Sequence, residues 1–261
     1  MKAFEIMNDL FAAAPGDYSV TCDTLKAGSP EKEVGKIAVS MFATPEIVRR
    51  AAEWGADLLI VHEPTYYNHM DVHSDEALEC EKRALIEKSG LTIYRHHDHA
   101  HRTQPDTIVA GEMKYMKLDA RIDEIDGFDC VRLTLNQPMT PRALAAHIER
   151  ETGIAHIRVC GAADVPCTRV TGMFGTPGGV FEELKSEDSE IVMTGEACEW
   201  MLGEYARDAA QLGHKKALLI LGHIGSERDG MRYLADELKK AHSEIPCAYF
   251  ECGEVYTYTD R

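Results

Sequence analysis

Residues 57–64 read DLLIVHEP, a short apolar run that ends in a histidine, a glutamate and a proline. A run of this length, rich in branched residues, is typical of a strand that is buried on both faces of a parallel sheet. A second such run, KIAVSMF, lies at residues 36–42 and is followed by a helical pattern that opens with Thr44-Pro45-Glu46. A threonine before a proline is a common helix start. The strand–helix–strand order predicts an α/β fold.

The same alternation continues along the chain, so that strands separated by crossover helices are predicted throughout. The predicted strands are residues 36–42, 57–62, 91–95, 130–135, 156–160, 169–175, 190–195, 217–222 and 247–251. The predicted helices are residues 3–13, 45–55, 74–89, 141–152, 179–186, 198–212 and 226–241. We expect mostly parallel sheets flanked by helices, with any ligand site at the carboxyl ends of the strands.

Two intertwined α/β domains are expected. The polar stretch 118–128, LDARIDEIDGF, precedes a restart of the pattern, which places a boundary near residue 125. Residues 1–125 would form the first domain, with residues from about 215 to 261 packing back on it. Residues 126–261 would form the second, and a chain of 261 residues leaves no room for an inserted domain.

Composition excludes several classes of protein. The chain has 28 Lys and Arg against 44 Asp and Glu, a formal net charge of −16, so we expect neither direct nucleic-acid binding nor attachment to an anionic membrane. Eight cysteines without a CxxC pair fit neither a disulfide scaffold nor a zinc ribbon. With no signal peptide or membrane span in the sequence, a cytoplasmic protein is predicted.

Histidine is concentrated in one part of the chain, since seven of the twelve lie between residues 62 and 101. His62 and Glu63 close a predicted strand, and IYRHHDHAHR (93–102) follows the next one. His97 and His101 are four apart and would share a face of a helix. The neighbouring His96, Asp98 and His99 would then point elsewhere or hydrogen-bond to the ligands and orient them. Imidazoles mixed with carboxylates suit Zn, Fe, Mn, Ni or Co better than Mg or Ca.

A third group, LGHIGSERDG (221–230), closes a strand and opens a helix that we expect to begin near Gly225. His223 and Glu227, four apart, could then reach one ion. The predicted metal ligands are His62, Glu63, His101, His223 and Glu227. Three imidazoles and two carboxylates are too many for one tetrahedral ion and suit two divalent ions that share a bridging carboxylate.

Two more segments follow predicted strands. FGTPGG (174–179) is a Gly-rich turn whose amides could hold an anion, or simply a turn. MTGEACEW (193–200) places Glu196 and Cys198 at a helix start, where Glu196 could be a general base or a partner of the helix dipole. His97 and Glu196 are the candidate catalytic residues, as proton shuttles. The roles of His96, His99 and Cys198 stay open.

At these residues the sequence resembles the Nif-three-like family, dinuclear metal-centre hexameric proteins also called GTP cyclohydrolase I type 2 homologues. The resemblance runs from the opening helix to the terminal YFECGEVY. The family's paired histidines fall on His62 and Glu63, its His-x3-Asp on His97 and His101, and its His-x3-Glu on His223 and Glu227. Glu63 thus stands where a second His is usual and His101 where an Asp is usual, so that His101 and Asp98 are alternative ligands.

The resemblance implies a two-domain α/β protomer and a homohexamer with its metal sites facing an inner cavity. The favoured function is a metal-dependent hydrolase that acts on a small substrate, such as a nucleotide, through a metal-bound hydroxide. One alternative is a non-catalytic oligomer that handles metal or binds a protein partner. The family label implies a further alternative, a GTP cyclohydrolase-type ring opening.

Overall fold

The computed structural model describes residues 1–126 and 130–259. Its helices are α1 Ala3–Ala12, α2 Pro45–Trp54, α3 Ala77–Ser89, α4 Thr107–Met116, α5 Pro141–Thr152, α6 Val180–Lys185, α7 Glu204–Gln211 and α8 His223–Ala241. Its strands are β1 Leu25–Ala27, β2 Ile37–Ser40, β3 Leu58–Val61, β4 Thr92–Arg95, β5 Ala120–Asp126, β6 Cys130–Met139, β7 Arg158–Gly161, β8 Cys167–Met173, β9 Ile191–Thr194, β10 Ala217–Ile220 and β11 Cys247–Tyr249. A 3-10 turn covers Ala100–Arg102 and a π-helical turn covers Glu199–Gly203.

The chain forms two compact units, one of Met1–Thr107 with the chain from Gly230 onward, the other of Ile108–Asp229. In the first unit a five-stranded sheet has the order β1-β4-β3-β2-β11. Strands β11, β2, β3 and β4 are parallel, and β1 is antiparallel at the edge. Every residue of β2, β3 and β4 is buried. Apolar side chains of α2 and α3, such as Ile47 and Ile86, cover one face.

The second unit contains a six-stranded sheet with the order β5-β6-β8-β9-β10-β7. Only β8–β9 and β9–β10 are parallel, and the other three pairings are antiparallel. The α/β class with two helix-flanked sheets is confirmed, but here the expectation of mostly parallel pairing is corrected. Periodicity shows that a strand is buried but does not show its direction, and β5 and β6 are joined too closely in sequence for a parallel crossover.

Each predicted strand overlaps an observed one, and the predicted helix starts at Thr44 and Thr140 are confirmed. The Thr44 hydroxyl accepts a hydrogen bond from the Ile47 amide and the Thr140 hydroxyl accepts one from the Ala143 amide, both at 3.1 Å. Two helices depart from the prediction. Residues 198–212 are divided between the π-helical turn and α7, and α8 begins at His223 rather than near Gly225.

The polar stretch at 118–128 is not a linker where it is described, because residues 120–126 form β5. This strand lies at the edge of its sheet, where charged residues are common because one face and one edge meet water. Residues 127 and 128 of the stretch lie outside the described residues. The compact units divide before Ile108, earlier than the boundary expected near residue 125.

Strand β1 and helix α4 were not predicted. Strand β1 has only three residues, too few for an alternating pattern to emerge. In the part of the chain that the structure describes, no helix has both the length and the apolar character required to cross a bilayer.

Candidate metal centre

Strand ends position the candidate ligands in both units. His62 follows β3 directly, and His97 and His101 follow β4, the parallel neighbour of β3 in the same sheet. In the second unit His223 follows β10 after a two-residue turn. The carboxyl ends of parallel strands lie at one edge of a sheet, so side chains that are distant in sequence meet there.

Three histidines of the first unit, His62, His97 and His101, form what we call the three-imidazole cluster. Each offers a ring nitrogen, and these nitrogens all lie within 4.8 Å of one another. The Nε2 atoms of His62 and His101 are 3.2 Å apart. His97 stacks on His62 with ring centroids 4.6 Å apart. The segment is not an α-helix, but the His101 amide donates to the His97 carbonyl and thereby forms the single turn that brings these rings together.

The other nitrogen of each ring, Nδ1, faces an oxygen acceptor. His62 Nδ1 is 3.0 Å from the His96 carbonyl, His97 Nδ1 is 3.0 Å from Asp98 Oδ1, and His101 Nδ1 is 3.2 Å from Asp106 Oδ2. Each of these oxygens can accept but not donate a hydrogen bond, so the proton belongs on Nδ1 and the lone pair on Nε2. Metal-binding histidines in proteins are oriented in this way.

Burial keeps the central imidazole of the cluster neutral. It is the main cause that lowers the pKa of His62 well below the usual value, and the neighbouring His97 and His101 lower it further. A neutral ring is the form that binds metal.

Glu63 lies beside a buried cation. Its carboxylate is 3.7 Å from the guanidinium of Arg95, whose side chain is fully buried. Arg95 also donates through Nε to the His62 carbonyl at 2.9 Å. Arg95 therefore fixes the backbone of one predicted ligand and offsets the charge of the next. The assignment of Glu63 as a ligand stays a prediction.

Asp98 and His101, the alternative ligands, have different surroundings. His101 belongs to the three-imidazole cluster, whereas Asp98 accepts hydrogen bonds from His97, Thr21 and the Cys22 amide. The His97 hydrogen bond is the main cause that lowers the pKa of Asp98, and Thr21 and Cys22 add to it. The geometry thus favours His101 as the ligand and Asp98 as the group that orients His97.

His96 and His99 point away from the cluster. His99 Nδ1 lies 2.6 Å from Asp23 Oδ2, and His96 Nδ1 lies 4.0 Å from the same atom. Asp23 also accepts from the amides of the histidine segment, including those of His97 and Asp98. Asp23 therefore holds the backbone of the segment in place and also accepts a hydrogen bond from the His99 ring.

In the second unit His223 and Glu227 form a pair on the first turn of α8. His223 Nε2 is 3.2 Å from Glu227 Oε2, and the Glu227 side chain is almost fully buried. The pair depends on a close backbone approach. Gly175 has φ +66°, and a Cβ at this position would overlap the Glu227 carboxylate. Only glycine leaves that carboxylate in place.

Glu196 lies beside the same histidine. Its carboxylate is 2.7 Å from His223 Nδ1, and its side chain is 55% exposed. Thr176 Oγ1 is 3.1 Å from the same nitrogen. Both residues line a cleft of about 490 Å³ formed by the Gly-rich turn, Phe181, Cys198 and Met201. Glu196 can therefore orient His223 and also meet a molecule in the cleft.

Several residues of the site were missed by the sequence analysis. Asp106, Asp23 and Arg95 anchor the first cluster, and Gly175 makes room for Glu227. The nearest signal in the sequence is the Gly-rich turn, which predicts an anion site or a plain turn but does not indicate space for a carboxylate side chain. Aspartates and arginines are too frequent in this chain for their positions to stand out.

The comparisons with known proteins identify the family of the chain. A model of the family Duf34/NIF3 (NGG1p interacting factor 3) matches residues 1–252. The chain belongs to this family. The resemblance found in the sequence is thereby confirmed, and the described units contain clusters of histidine and carboxylate that could hold a metal ion, as the sequence predicted.

Two relatives of this Duf34/NIF3 chain match it over most of its length. A protein of Clostridium perfringens named GTP cyclohydrolase 1 type 2 homolog is 23% identical over 248 residues, or 92% of each chain. A homolog of the same name from Neisseria meningitidis is 26% identical over 220 residues, or 84% of each chain.

Two solved structures share the fold. A Bacillus cereus protein related to NIF3 matches with a TM-score of 0.78 at 13% identity, with 99% of both chains covered. A Staphylococcus aureus hypothetical protein matches with a TM-score of 0.77 at 18% identity, again over 99% of both chains. At such identities the match shows the fold alone.

Proposed function

We propose that this Duf34/NIF3 chain is a metal-dependent hydrolase that binds two divalent transition-metal ions and acts on a small substrate. The ligands would be His62, Glu63 and His101 of the first unit with His223 and Glu227 of the second. The observation that carries the proposal is the orientation of the three-imidazole cluster, in which every Nδ1 is directed at an acceptor. With every proton on Nδ1, the Nε2 lone pairs remain as the atoms that can bind a metal ion.

The spacing of the donor atoms supports the same conclusion. Neighbouring ligand atoms on one ion lie roughly 2.9–3.4 Å apart when each metal–ligand bond is about 2.0–2.1 Å long. The His62–His101 and His223–Glu227 pairs are both separated by 3.2 Å. With their protons on Nδ1, the Nε2 lone pairs of His62 and His101 point toward each other, and a bound cation would attract both.

A bound divalent transition metal would supply Lewis-acid activation of water and of a substrate oxygen. Two residues are placed to move protons. Glu196 is exposed to the cleft and faces His223 Nδ1 at 2.7 Å, so it can accept a proton and release it to solvent. His97, part-buried and backed by Asp98, can hold a proton at Nδ1 while Nε2 accepts another.

The size and lining of the cleft beside Glu196 suit a small substrate. Its volume of about 490 Å³ lies within the usual range of small-molecule sites, and Phe181 and Met201 give it an apolar wall. The net charge of −16 disfavours large polyanions but not a single nucleotide. Because the relatives named above are called GTP cyclohydrolase 1 type 2 homologs, GTP should be among the substrates tested, with ring opening as the reaction that is measured.

The alternative, a non-catalytic metal-handling or regulatory oligomer, is less well supported. Histidines beyond the proposed ligands would favour metal handling, but two of them, His96 and His99, are buried against Asp23 and are not available to incoming metal. A homohexamer in solution is a further part of the proposal, which light scattering can measure.

Elemental analysis is the first test. Protein stripped by a chelator and reloaded with Zn, Mn, Fe, Co or Ni should hold about two ions per chain that depend on these five ligands. A His62→Ala/His101→Ala variant and a His223→Ala/Glu227→Ala variant should each lose one of them. Stoichiometry that is the same in both variants as in the unchanged protein would refute the ligand assignment.

Hydrolysis of a panel of small esters, amides and nucleotides by the reloaded protein tests the activity. Glu196→Gln should lower kcat by roughly 100-fold or more, the usual contribution of a positioned proton-transfer group. Glu199→Gln is a matched control, because Glu199 is also exposed but pairs with Arg158 away from the cleft. If metal binds and no member of the panel is turned over, the metal-handling alternative takes precedence.

A further inference from the structure

A second group of donors in the first unit shares no residue with the three-imidazole cluster. It consists of Cys22, His69 and Asp98, and we call it the thiol cluster. One donor atom of each residue lies within 4.8 Å of the other two. Cys22 precedes β1, His69 follows β3 and Asp98 follows β4, so the chain brings three separate loops to one point.

We propose that the thiol cluster is an additional metal site, in which Cys22, His69 and Asp98 bind a zinc-like ion through one sulfur, one nitrogen and one oxygen. This site is distinct from the ligands of the proposed hydrolase. Three protein ligands leave the fourth tetrahedral position to water or to an incoming group.

The distances already suit such an ion. Cys22 Sγ and Asp98 Oδ1 are 3.4 Å apart. Bonds of about 2.3 Å to sulfur and 2.0–2.2 Å to oxygen place two ligands of a tetrahedral ion roughly 3.5 Å apart. The thiol is buried, whereas the His69 side chain is exposed, so a metal ion can enter from the His69 side. A rotation of the His69 side chain would complete the set.

The carboxylate is held for this role. Asp98 Oδ2 accepts from the Thr21 hydroxyl at 2.8 Å and from the Cys22 amide at 3.1 Å. Its other oxygen, Oδ1, faces the Cys22 thiol and His97 Nδ1. These hydrogen bonds hold the carboxylate in one orientation beside the thiol. An ionised oxygen has lone pairs for both a histidine and a metal ion.

The loop that carries His69 is also anchored. The Arg95 guanidinium donates to the His69 carbonyl, and the Asn68 side chain makes two hydrogen bonds of 2.8 Å with the backbone of Val72. The exposed imidazole therefore projects from a fixed backbone. A site on such a loop costs less entropy to assemble than one on a free loop.

The chemistry of binding is a proton exchange. The Cys22 S–H faces the carboxylates of Asp98 and Asp23, at 3.4 and 3.6 Å, and burial raises the pKa of this thiol. When the ion binds, the S–H bond breaks, a sulfur–metal bond forms and the proton leaves to solvent, with no change of oxidation state. A thiolate ligand selects zinc, cobalt and cadmium over magnesium, calcium and manganese.

Cobalt titration of the full-length chain tests the proposal, because a thiolate bound to Co²⁺ gives a charge-transfer band in the near ultraviolet that imidazole and carboxylate ligands do not give. Chelator-stripped protein should develop this band in proportion to one Co²⁺ per chain, and Zn²⁺ should bleach it. Cys22→Ser should remove it. Cys80→Ser should keep it, since Cys80 is a free thiol whose sulfur faces Arg83 rather than a carboxylate.

Two further variants separate this site from the hydrolase site. His62→Ala/His101→Ala should retain the band even though it loses an ion of the proposed hydrolase. His69→Ala changes only an exposed side chain and should fold normally, but its Co²⁺ affinity in the band titration should fall at least about 10-fold. The proposal is overturned if the unchanged protein gives no band, if Cys22→Ser keeps it, or if His69→Ala leaves the affinity unchanged.

Discussion

The three-imidazole cluster and the His223–Glu227 pair satisfy the needs of a metal ligand in different ways. In the first, buried and part-buried rings are oriented by a backbone carbonyl and two carboxylates, and the buried Arg95 donates to the His62 carbonyl. In the second, a partly exposed ring faces one buried carboxylate and is backed by the exposed Glu196. A buried ring can be oriented only by protein groups. An exposed ring can hydrogen-bond to water when a protein partner is missing. The first cluster should therefore be the more sensitive to its supporting residues.

The largest expected effect follows from removing the buried cation of the first unit. Arg95→Met should lower the free energy of unfolding by roughly 3–5 kcal/mol, because it leaves the carboxylates of Glu63 and Asp71 buried with less compensation. Chemical denaturation measures the change. Arg207→Met removes an arginine from an exposed ion pair on α7 and should cost no more than about 0.5 kcal/mol. Equal losses of unfolding free energy in the two variants would contradict the expected difference between the buried and the exposed arginine.

In the second unit the backbone at Gly175 leaves no space for a side chain beside the Glu227 carboxylate. Gly175→Ala places a Cβ against the Glu227 carboxylate at a positive φ, so we expect a loss of about 2–4 kcal/mol in unfolding free energy and of the ion held by His223 and Glu227. Gly178→Ala is the matched control in the same turn, because a Cβ there meets nothing within 4 Å. Thermal unfolding and metal stoichiometry provide the two measurements.

Asp106 and Glu196, the carboxylates that face Nδ1 of His101 and of His223, can be compared directly. Asp106→Ala removes the buried acceptor of His101 Nδ1 and should weaken metal binding in the first unit about 10–100-fold. Glu196→Ala removes the exposed partner of His223 and should weaken binding by less, since Thr176 and water can take its place. Isothermal titration with Zn²⁺ gives both affinities. A larger loss for Glu196→Ala would reverse the assigned order of sensitivity.

The pH dependence of stability gives an effect that is small over any single pH unit. Burial lowers the pKa of His96 to about 4, so between pH 6.5 and 4 the unfolded chain binds a proton that the folded chain does not. Stability should therefore fall with falling pH in this window, by up to about 1.4 kcal/mol per unit for this residue. His96→Gln should flatten the slope by about one proton. An unchanged slope in His96→Gln would show that His96 is protonated in the folded protein.

The sequence by itself determined the strand and helix segments and the placement of histidines and carboxylates at strand ends. These features follow from local patterns: apolar runs of strand length, Thr-Pro helix starts, and the rule that polar residues after parallel strands share one edge of a sheet. The family followed from the same residues. A short edge strand such as β1 and the polar β5 carry no such pattern and could not be found in this way.

Only the tertiary structure decided which donors meet. Asp98 and His101 are both reasonable ligands in sequence, but contacts with Thr21 and Cys22 direct Asp98 to one group while Asp106 directs His101 to another. Cys22 and Asp98 are far apart along the chain, yet their side chains hydrogen-bond. Local sequence sets the backbone direction of a residue, whereas its partner depends on which distant segments pack beside it.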